Sequence, residues 1–326
     1  MSPPPAERML TEPILDDRAW TRRTVGEEFC WTAQLPLGWL DSAGQTASLL
    51  EKNPGQPIAT LPIPPWDARG DWQSLRAALE RGRGFVVLDR IPVDQCSPSQ
   101  TQGLFWMLGH EFGVPMTQDV AGTVLFDVRD KGYDVTRGAR FSGTTAESTF
   151  HTDNAFGQVV PDLVALLCLR PAVSGGESQL ISAVTLHNRL LSRHTDLLPC
   201  LYQPFYFDRR GEFHQGEPPI SQNPVFSWAS GELTVRYMHY YIEVGHQKAG
   251  RPLTRSQLRA LEVLEKFLRL PELRIEFRLQ PGQVLLTNNH WILHNRTAFE
   301  DSTRPRERRH YLRLWLSRRS RPNPAY

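Results

Sequence analysis

The chain contains no run of about 18 consecutive apolar residues, so no segment reads as a membrane-spanning helix. Its opening residues, MSPPPAERML, hold no apolar stretch of the kind that forms a secretory leader. Cysteine is scarce: Cys30, Cys96, Cys168 and Cys200 lie far apart and form no CxxC pair. That argues against a disulfide framework and a structural zinc site, and leaves reduced, mostly buried thiols as the expectation. An excess of one charge is also missing, with 37 basic against 35 acidic residues and a formal net charge of +2. Such a balance offers no electrostatic footprint for nucleic acid or a membrane surface. A cytoplasmic protein with a small-molecule partner is therefore expected, while homo-oligomer formation stays open. No internal repeat or low-complexity linker divides the chain, so residues 1–326 are expected to form one domain.

The composition is that of a globular protein with a sizeable core, 40% hydrophobic and 22% charged. Roughly the first 65 residues are rich in proline and tryptophan (Trp20, Trp31, Trp39, then PIPPW ending at Trp66) and read as irregular chain wrapping a core. Helical apolar spacing over Trp72–Arg81 is closed by Arg83–Gly84, and the β-branched run Phe85–Leu88 follows as a strand. A second helix is expected over Ser97–Phe112, with Ser97 as N-cap and Gly113 as the stop. Further helices fit Ala183–Arg193 and Thr254–Leu270. Short strand-like runs fall at Val124–Val128, Leu163–Leu169, Gln179–Ser182, Phe205–Phe207, Leu233–Arg236, Leu273–Leu279, Val284–Thr287 and Arg309–Leu316. The Gln280–Gln283 stretch, QPGQ, reads as a turn. Many short strands with a few helices predict a mainly β fold, a jelly roll braced by flanking helices.

The segment Phe150–Asp153, FHTD, carries the first chemistry. Residues two apart on an extended strand point the same way, so His151 and Asp153 can reach one metal ion. A second histidine source lies about 140 residues further on, in NNHWILHNR (288–296). Two histidines and one carboxylate leave coordination positions open, which suits an iron(II) oxygenase. An HxD pair by itself is common and says little.

RRHYLRLWL (308–316) adds to it. On a strand Arg309, Tyr311 and Arg313 share one face, and His310, Leu312 and Leu314 the other. Two guanidiniums turned towards a core are costly without an anion, and a dicarboxylate matches their forked geometry. The alternative is a pair of solvated arginines on an edge strand. Arg304, Arg306 and Arg308 sit in a polar loop and read as surface.

Taken in order, FHTDNAF (150–156), GGES (175–178), NNHWILHNRTAFED (288–301) and RRHYLRLWL (308–316) resemble the taurine-dioxygenase-like iron(II)/2-oxoglutarate oxygenases, including the clavaminate-synthase-like branch. GRGFVVL (82–88) and the run from Glu111 to Pro115 extend the likeness over most of residues 80–318. The resemblance implies a double-stranded β-helix that uses iron(II), 2-oxoglutarate and dioxygen. It implies His151, Asp153 and His294 as iron ligands. Ser178 stands where the family commonly has a threonine that bonds 2-oxoglutarate, and Arg309 would hold its distal carboxylate. Arg313 would lie nearer the metal, touching co-substrate or substrate, and Asn289 would support the site. Halogenating relatives replace the carboxylate ligand with a small residue, so Asp153 disfavours halogenation. Hydroxylation of a C–H bond in an amino acid or carboxylate derivative, with release of succinate and carbon dioxide, is the implied reaction. Desaturation or ring formation are variants that residues do not separate.

Arg210 and Arg236, set among aromatics, are candidates for pairing with a substrate carboxylate, against an ordinary structural role. Tyr237, Tyr240 and Tyr241 read as packing. His187, His194, His214 and His246 have no partner at metal spacing and read as solvated, while His239 and His290 are candidate supporting groups. A zinc-dependent hydrolase on the same triad, which needs neither Arg309 nor Arg313, and a non-catalytic jelly-roll binding module are the competing functions.

Overall fold

Strict alternation along four strands builds the centre of the fold. In Phe85–Asp89, Phe85 and Val87 face one apolar cluster, Val86 and Leu88 another. Val284–Asn288, Leu163–Arg170 and His310–Ser317 line up beside it, antiparallel at each step, in that spatial order. On the last of these, Tyr311 joins the first cluster while Leu312, Leu314 and Leu316 join the second. A period of two on a sheet buried on both faces gives this pattern. The short strands Thr32–Gln34, Val114–Met116 and Phe126–Val128 complete a 7-stranded sheet. The computed structural model describes residues 9–36, 38–53, 55–63 and 72–318; Trp66 and the end of the C-terminal arginine run lie outside them.

A second, 3-stranded sheet runs Arg274–Phe277, Ser178–Ser182, Ile292–Arg296, all antiparallel. It packs over the first cluster and leaves a cavity between the two sheets. This is the jelly roll with flanking helices that the strand pattern predicted. The outer face of the large sheet is covered by Trp39–Lys52, Trp72–Glu80 and Pro98–Phe112, which contribute Ala43, Ala47, Leu79, Phe105 and Leu108. Each large side chain buried this way contributes about 1.5–3 kcal/mol. Ser97 caps its helix in a full capping box with Gln100, and Thr254 does the same with Gln257 for Arg255–Leu268. In GRGFVVL, Gly84 has φ +77° and no room for a Cβ, which would lie 2.3 Å from the Trp291 ring.

Some expectations need correction. The N-terminal region is not irregular throughout, since Trp39–Lys52 is a helix. Its buried face is Trp39, Ala43, Ala47 and Leu50, and small alanines make that periodicity faint in a hydropathy pattern. A second helix, His239–Ala249, was hidden by the aromatic run that opens it. Only Cys168 of the four free thiols is fully buried, and Cys30 is exposed. His187 and His246 are buried rather than solvated, His187 beside the Tyr202 hydroxyl at 2.8 Å and His246 bonded from Nδ1 to the Arg251 carbonyl at 2.6 Å. His214 is exposed and His194 half-buried. Arg304, Arg306 and Arg308 are exposed, as expected. Among the described residues no helix is long and apolar enough to cross a membrane.

Candidate metal centre

His151 and His294 face each other as a one-residue antiparallel bridge. Each backbone N–H donates to the other's carbonyl at 2.9 Å, which brings the imidazole centroids to 4.3 Å. His294 is delivered by the strand Ile292–Arg296. The chain does not stay extended through Asp153, as the alternation argument assumed; a turn begins there and swings the carboxylate back towards both rings. Asn289 clips that turn: it accepts from the Asp153 N–H at 2.8 Å and donates to the Asp153 and Pro161 carbonyls at 2.9 and 3.2 Å. Asp153 Oδ1 then lies 3.7 Å from Nε2 of His151 and 3.7 Å from Nε2 of His294. The donor atoms of the three residues all fall within 4.8 Å of one another, close enough to share one ion.

The hydrogen bonds around the cluster leave those atoms ready to bind. His151 Nδ1 donates to the Thr149 carbonyl at 2.8 Å, so its Nε2 carries the lone pair. Burial, and then the neighbouring His151, lower the His294 pKa and keep that ring neutral. Asp153 Oδ2 is held by the Trp315 indole N–H at 2.7 Å and by Arg313 Nη1 at 3.2 Å. Burial works against the charge of this carboxylate, but Arg313 and the two histidines outweigh it and hold the pKa well below the ordinary value. Arg313 is fixed in turn by Gln118, whose Oε1 accepts from Nε at 2.8 Å and whose Nε2 donates to the Arg313 carbonyl at 2.8 Å.

Arg309 lies at another point of the same cavity. Only 4% of it is exposed, yet it forms no ion pair with any described carboxylate, and its Nε has no hydrogen-bond partner. Its guanidinium lies 4.0 Å over the Tyr311 ring and 5.1 Å from the Phe299 centroid, and its backbone N–H is anchored on Asp301 at 2.6 Å. Burial lowers its pKa, as it must for a cation without a counter-ion. Ser178 lines the cavity with it. The preceding glycines bring this segment close to Ala298: Gly175 has φ +71°, and a Cβ there would lie 2.2 Å from the Ala298 carbonyl oxygen. The cavity, about 130 Å³, is walled by Leu166, Leu285 and Thr287 from the large sheet and by Leu180 and His294 from the small one.

Arg210 and Arg236 do not line this cavity. Arg210 pairs with Asp208 at 3.0 Å, donates to the Ala139 carbonyl at 2.6 Å and stacks on Tyr240 and Tyr241. Arg236 donates to the Gly157 carbonyl at 2.6 Å and to Asn223 at 3.1 Å, bracing the turn that follows Asp153. His239 bonds the Tyr237 hydroxyl and His290 bonds Asp162, both away from the cavity. Trp315, Gln118 and Arg296 carry no expectation from the sequence, and Tyr241, read there as packing, also lines the cavity. Trp315 was legible, since it continues the Arg309–Tyr311–Arg313 face by one more step of two; Gln118 and Tyr241 have no such pattern.

A jelly roll with two histidines, one aspartate and an unpaired arginine around one cavity defines the class of mononuclear iron(II)/2-oxoglutarate oxygenases. Comparison with known proteins is narrower. Residues 48–315 match the model of the taurine catabolism dioxygenase TauD, TfdA family. The chain belongs to that family and is a 2-oxoglutarate-dependent dioxygenase using iron(II) and dioxygen. It is 28% identical to FR-33289 synthase of Streptomyces rubellomurinus over 95% of this chain and 91% of that protein. It is 31% identical to a uridine-5'-phosphate dioxygenase of Amycolatopsis sp over 57% of this chain and 66% of that protein. Among solved structures, asparagine oxygenase in complex with Fe(II), 2S,3S-3-hydroxyasparagine and succinate shares the fold at a TM-score of 0.65, with 20% identity over 88% of this chain and 93% of that one. The non-heme iron oxygenase OrfP in complex with Fe and alpha-ketoglutaric acid superposes at 0.60, with 16% identity over 88% and 94%.

Proposed function

We propose that His151, Asp153 and His294 hold the iron(II) ion and that Arg309 and Ser178 hold the distal carboxylate of 2-oxoglutarate, for oxidation of a C–H bond in a small organic molecule. The observation that carries this reading is a buried guanidinium without a carboxylate partner, opening onto the same cavity as three convergent ligand atoms. Bound iron(II), with 2-oxoglutarate and dioxygen, supplies the oxidising chemistry and releases succinate and carbon dioxide. The protein's part is binding, orientation and exclusion of water. Asp153 would hold the ion with its carboxylate oriented by Trp315, which donates to Oδ2, and by Arg313, whose Nη1 lies 3.2 Å from Oδ2 and 3.4 Å from Oδ1. That makes Arg313 a group that fixes the ligand rather than one reserved for substrate. Val128, Val164, Leu166, Leu180 and Leu285 supply the apolar part of the cavity wall.

Hydroxylation of an amino acid or another small acid is the favoured reaction. The structural neighbours whose names state a product carry hydroxyasparagine and hydroxy-L-Arg, and one relative acts on uridine 5'-phosphate. Neither nucleic acid nor a membrane is a partner in this reading, and four free cysteines agree with a cytoplasmic location. A zinc hydrolase would leave Arg309 buried to no purpose.

Anaerobic addition of iron(II) and 2-oxoglutarate should give a weak visible charge-transfer band. Exposure to dioxygen should then give succinate, and a metabolite panel scored for stimulated succinate formation identifies the substrate. Folded protein without the band, or with wild-type succinate formation after His151→Ala or His294→Ala, overturns the ligand assignment.

A further inference from the structure

Tyr241 is the part of the cavity wall that neither iron nor 2-oxoglutarate explains. It is the third residue of His239–Ala249, lines the cavity, and is 9% exposed. Its ring stands 6.4 Å from Phe141 and 6.1 Å from Phe156, which line the cavity beside it. Its hydroxyl forms no hydrogen bond with any described residue and stays accessible, so it is free to meet a molecule in the cavity.

The surroundings select what that hydroxyl can bind. Arg210 stacks on the Tyr241 ring at 5.3 Å, and Arg140 joins Tyr241 in the cavity wall. Arg140 is anchored by Glu212 at 2.7 Å and by the Gln118 carbonyl at 2.8 Å, so it acts here through its field. Burial pushes the Tyr241 pKa up to about 12, with Arg140 and Arg210 pulling the other way and Asp153 and Asp208 adding to the rise. The phenol therefore keeps its proton at every working pH and can donate it. Arg140 and Arg210 are each paired with a carboxylate, whereas Arg296 lines the same cavity with no ion pair to any described carboxylate, and its guanidinium repels an ammonium group and favours an anion.

We propose that Tyr241 is a substrate-binding residue whose hydroxyl donates a hydrogen bond to an oxyanion of the substrate, a carboxylate or a phosphate. Phe141 and Phe156 bound the apolar part of the same molecule. Arg210, which does not reach the cavity itself, backs the ring that does. The proposal rests on the cavity being the oxygenase active site and adds the substrate's charge and the residue that reads it.

The test uses full-length protein loaded anaerobically with iron(II) and saturating 2-oxoglutarate, so that turnover cannot occur. Acetate, inorganic phosphate and uridine 5'-phosphate are titrated against neutral acetamide and uridine, with the visible iron–2-oxoglutarate band as the readout. At least one oxyanion should perturb the band saturably, and its neutral counterpart should bind at least about tenfold more weakly. Tyr241→Phe should weaken the oxyanion by roughly tenfold and leave the 2-oxoglutarate titration unchanged. Acetate acting best assigns a carboxylate; either phosphate probe acting best assigns a phosphate. Equal binding of charged and neutral probes, no saturable oxyanion, or an unchanged affinity in Tyr241→Phe each overturns the proposal. Failure of the band to form at all counts instead against the iron and 2-oxoglutarate reading. If the variant does not fold, wild-type protein carrying ζ-carbon-labelled tyrosine serves: a tyrosine resonance must move with the oxyanion, and none moving overturns the contact.

Discussion

Arg309→Met removes a guanidinium and leaves an unbranched apolar chain to fill the space between Phe299 and Tyr311. Two quantities should then move in opposite directions. The first is co-substrate affinity. Loss of a buried charged contact costs about 2–5 kcal/mol, and about 1.4 kcal/mol corresponds to each factor of ten. The 2-oxoglutarate requirement should therefore rise by a factor of between roughly thirty and several thousand. The second is stability. Arg309 is buried without a carboxylate partner, and burial depresses its pKa, so in the free protein its charge is a burden. An apolar replacement should be neutral or stabilising, by up to about 1–4 kcal/mol if the site behaves like other buried charges replaced by apolar groups. Titration of 2-oxoglutarate against the visible band gives the first quantity, and urea unfolding of metal-free protein gives the second. Arg309→Lys keeps the charge but not the fork and should fall between wild type and methionine. An unchanged 2-oxoglutarate requirement refutes the role. So does a loss of several kcal/mol in stability, which would make Arg309 a structural pin.

Other perturbations test the site and the frame around it. Asp153→Ala leaves Arg313 buried without its carboxylate and should lose about 3–5 kcal/mol of stability as well as metal binding, where Arg313→Met in the same background recovers part of the loss; urea midpoints decide. Manganese(II) at about 100 times its dissociation constant should stabilise wild type by about 2.7 kcal/mol in a thermal melt, and His294→Ala should abolish the shift; an equal shift in the variant removes His294 from the ligand set. His187 has its pKa lowered by burial from 6.5 to about 4, so in that window the unfolded chain binds the extra proton. Stability should therefore fall as pH drops through it, by at most about 3 kcal/mol, and His187→Gln should flatten the slope of urea stability against pH; an unchanged slope rejects the attribution. Gly84→Ala drives a Cβ into Trp291 at a positive φ and should cost roughly 2–4 kcal/mol, whereas a cost near zero would show that the indole moves freely aside.

Much of the frame is legible in the sequence. Capping residues Ser97 and Thr254, and the alternation in Phe85–Leu88 and the Tyr311–Leu316 segment, are local features, and local sterics and hydropathy dictate them. The helix Trp39–Lys52 escaped because alanine marks its buried face weakly. The histidines and the aspartate could be named from motif order, but their meeting depends on one long-range bridge between His151 and His294 and on a turn at Asp153 pinned by Asn289. Nothing within a few residues of either segment encodes that pairing. Buried arginines divide the same way. Sequence alternation placed Arg309 and Arg313 on an inward face, which is a local inference. That Arg313 is neutralised by Asp153 while Arg309 pairs with no described carboxylate, and that Arg210 and Arg236 stay outside the cavity, follows from which distant groups packing brings within a few ångströms. Pattern fixes direction along a strand; only the closed sandwich decides what each side chain meets there.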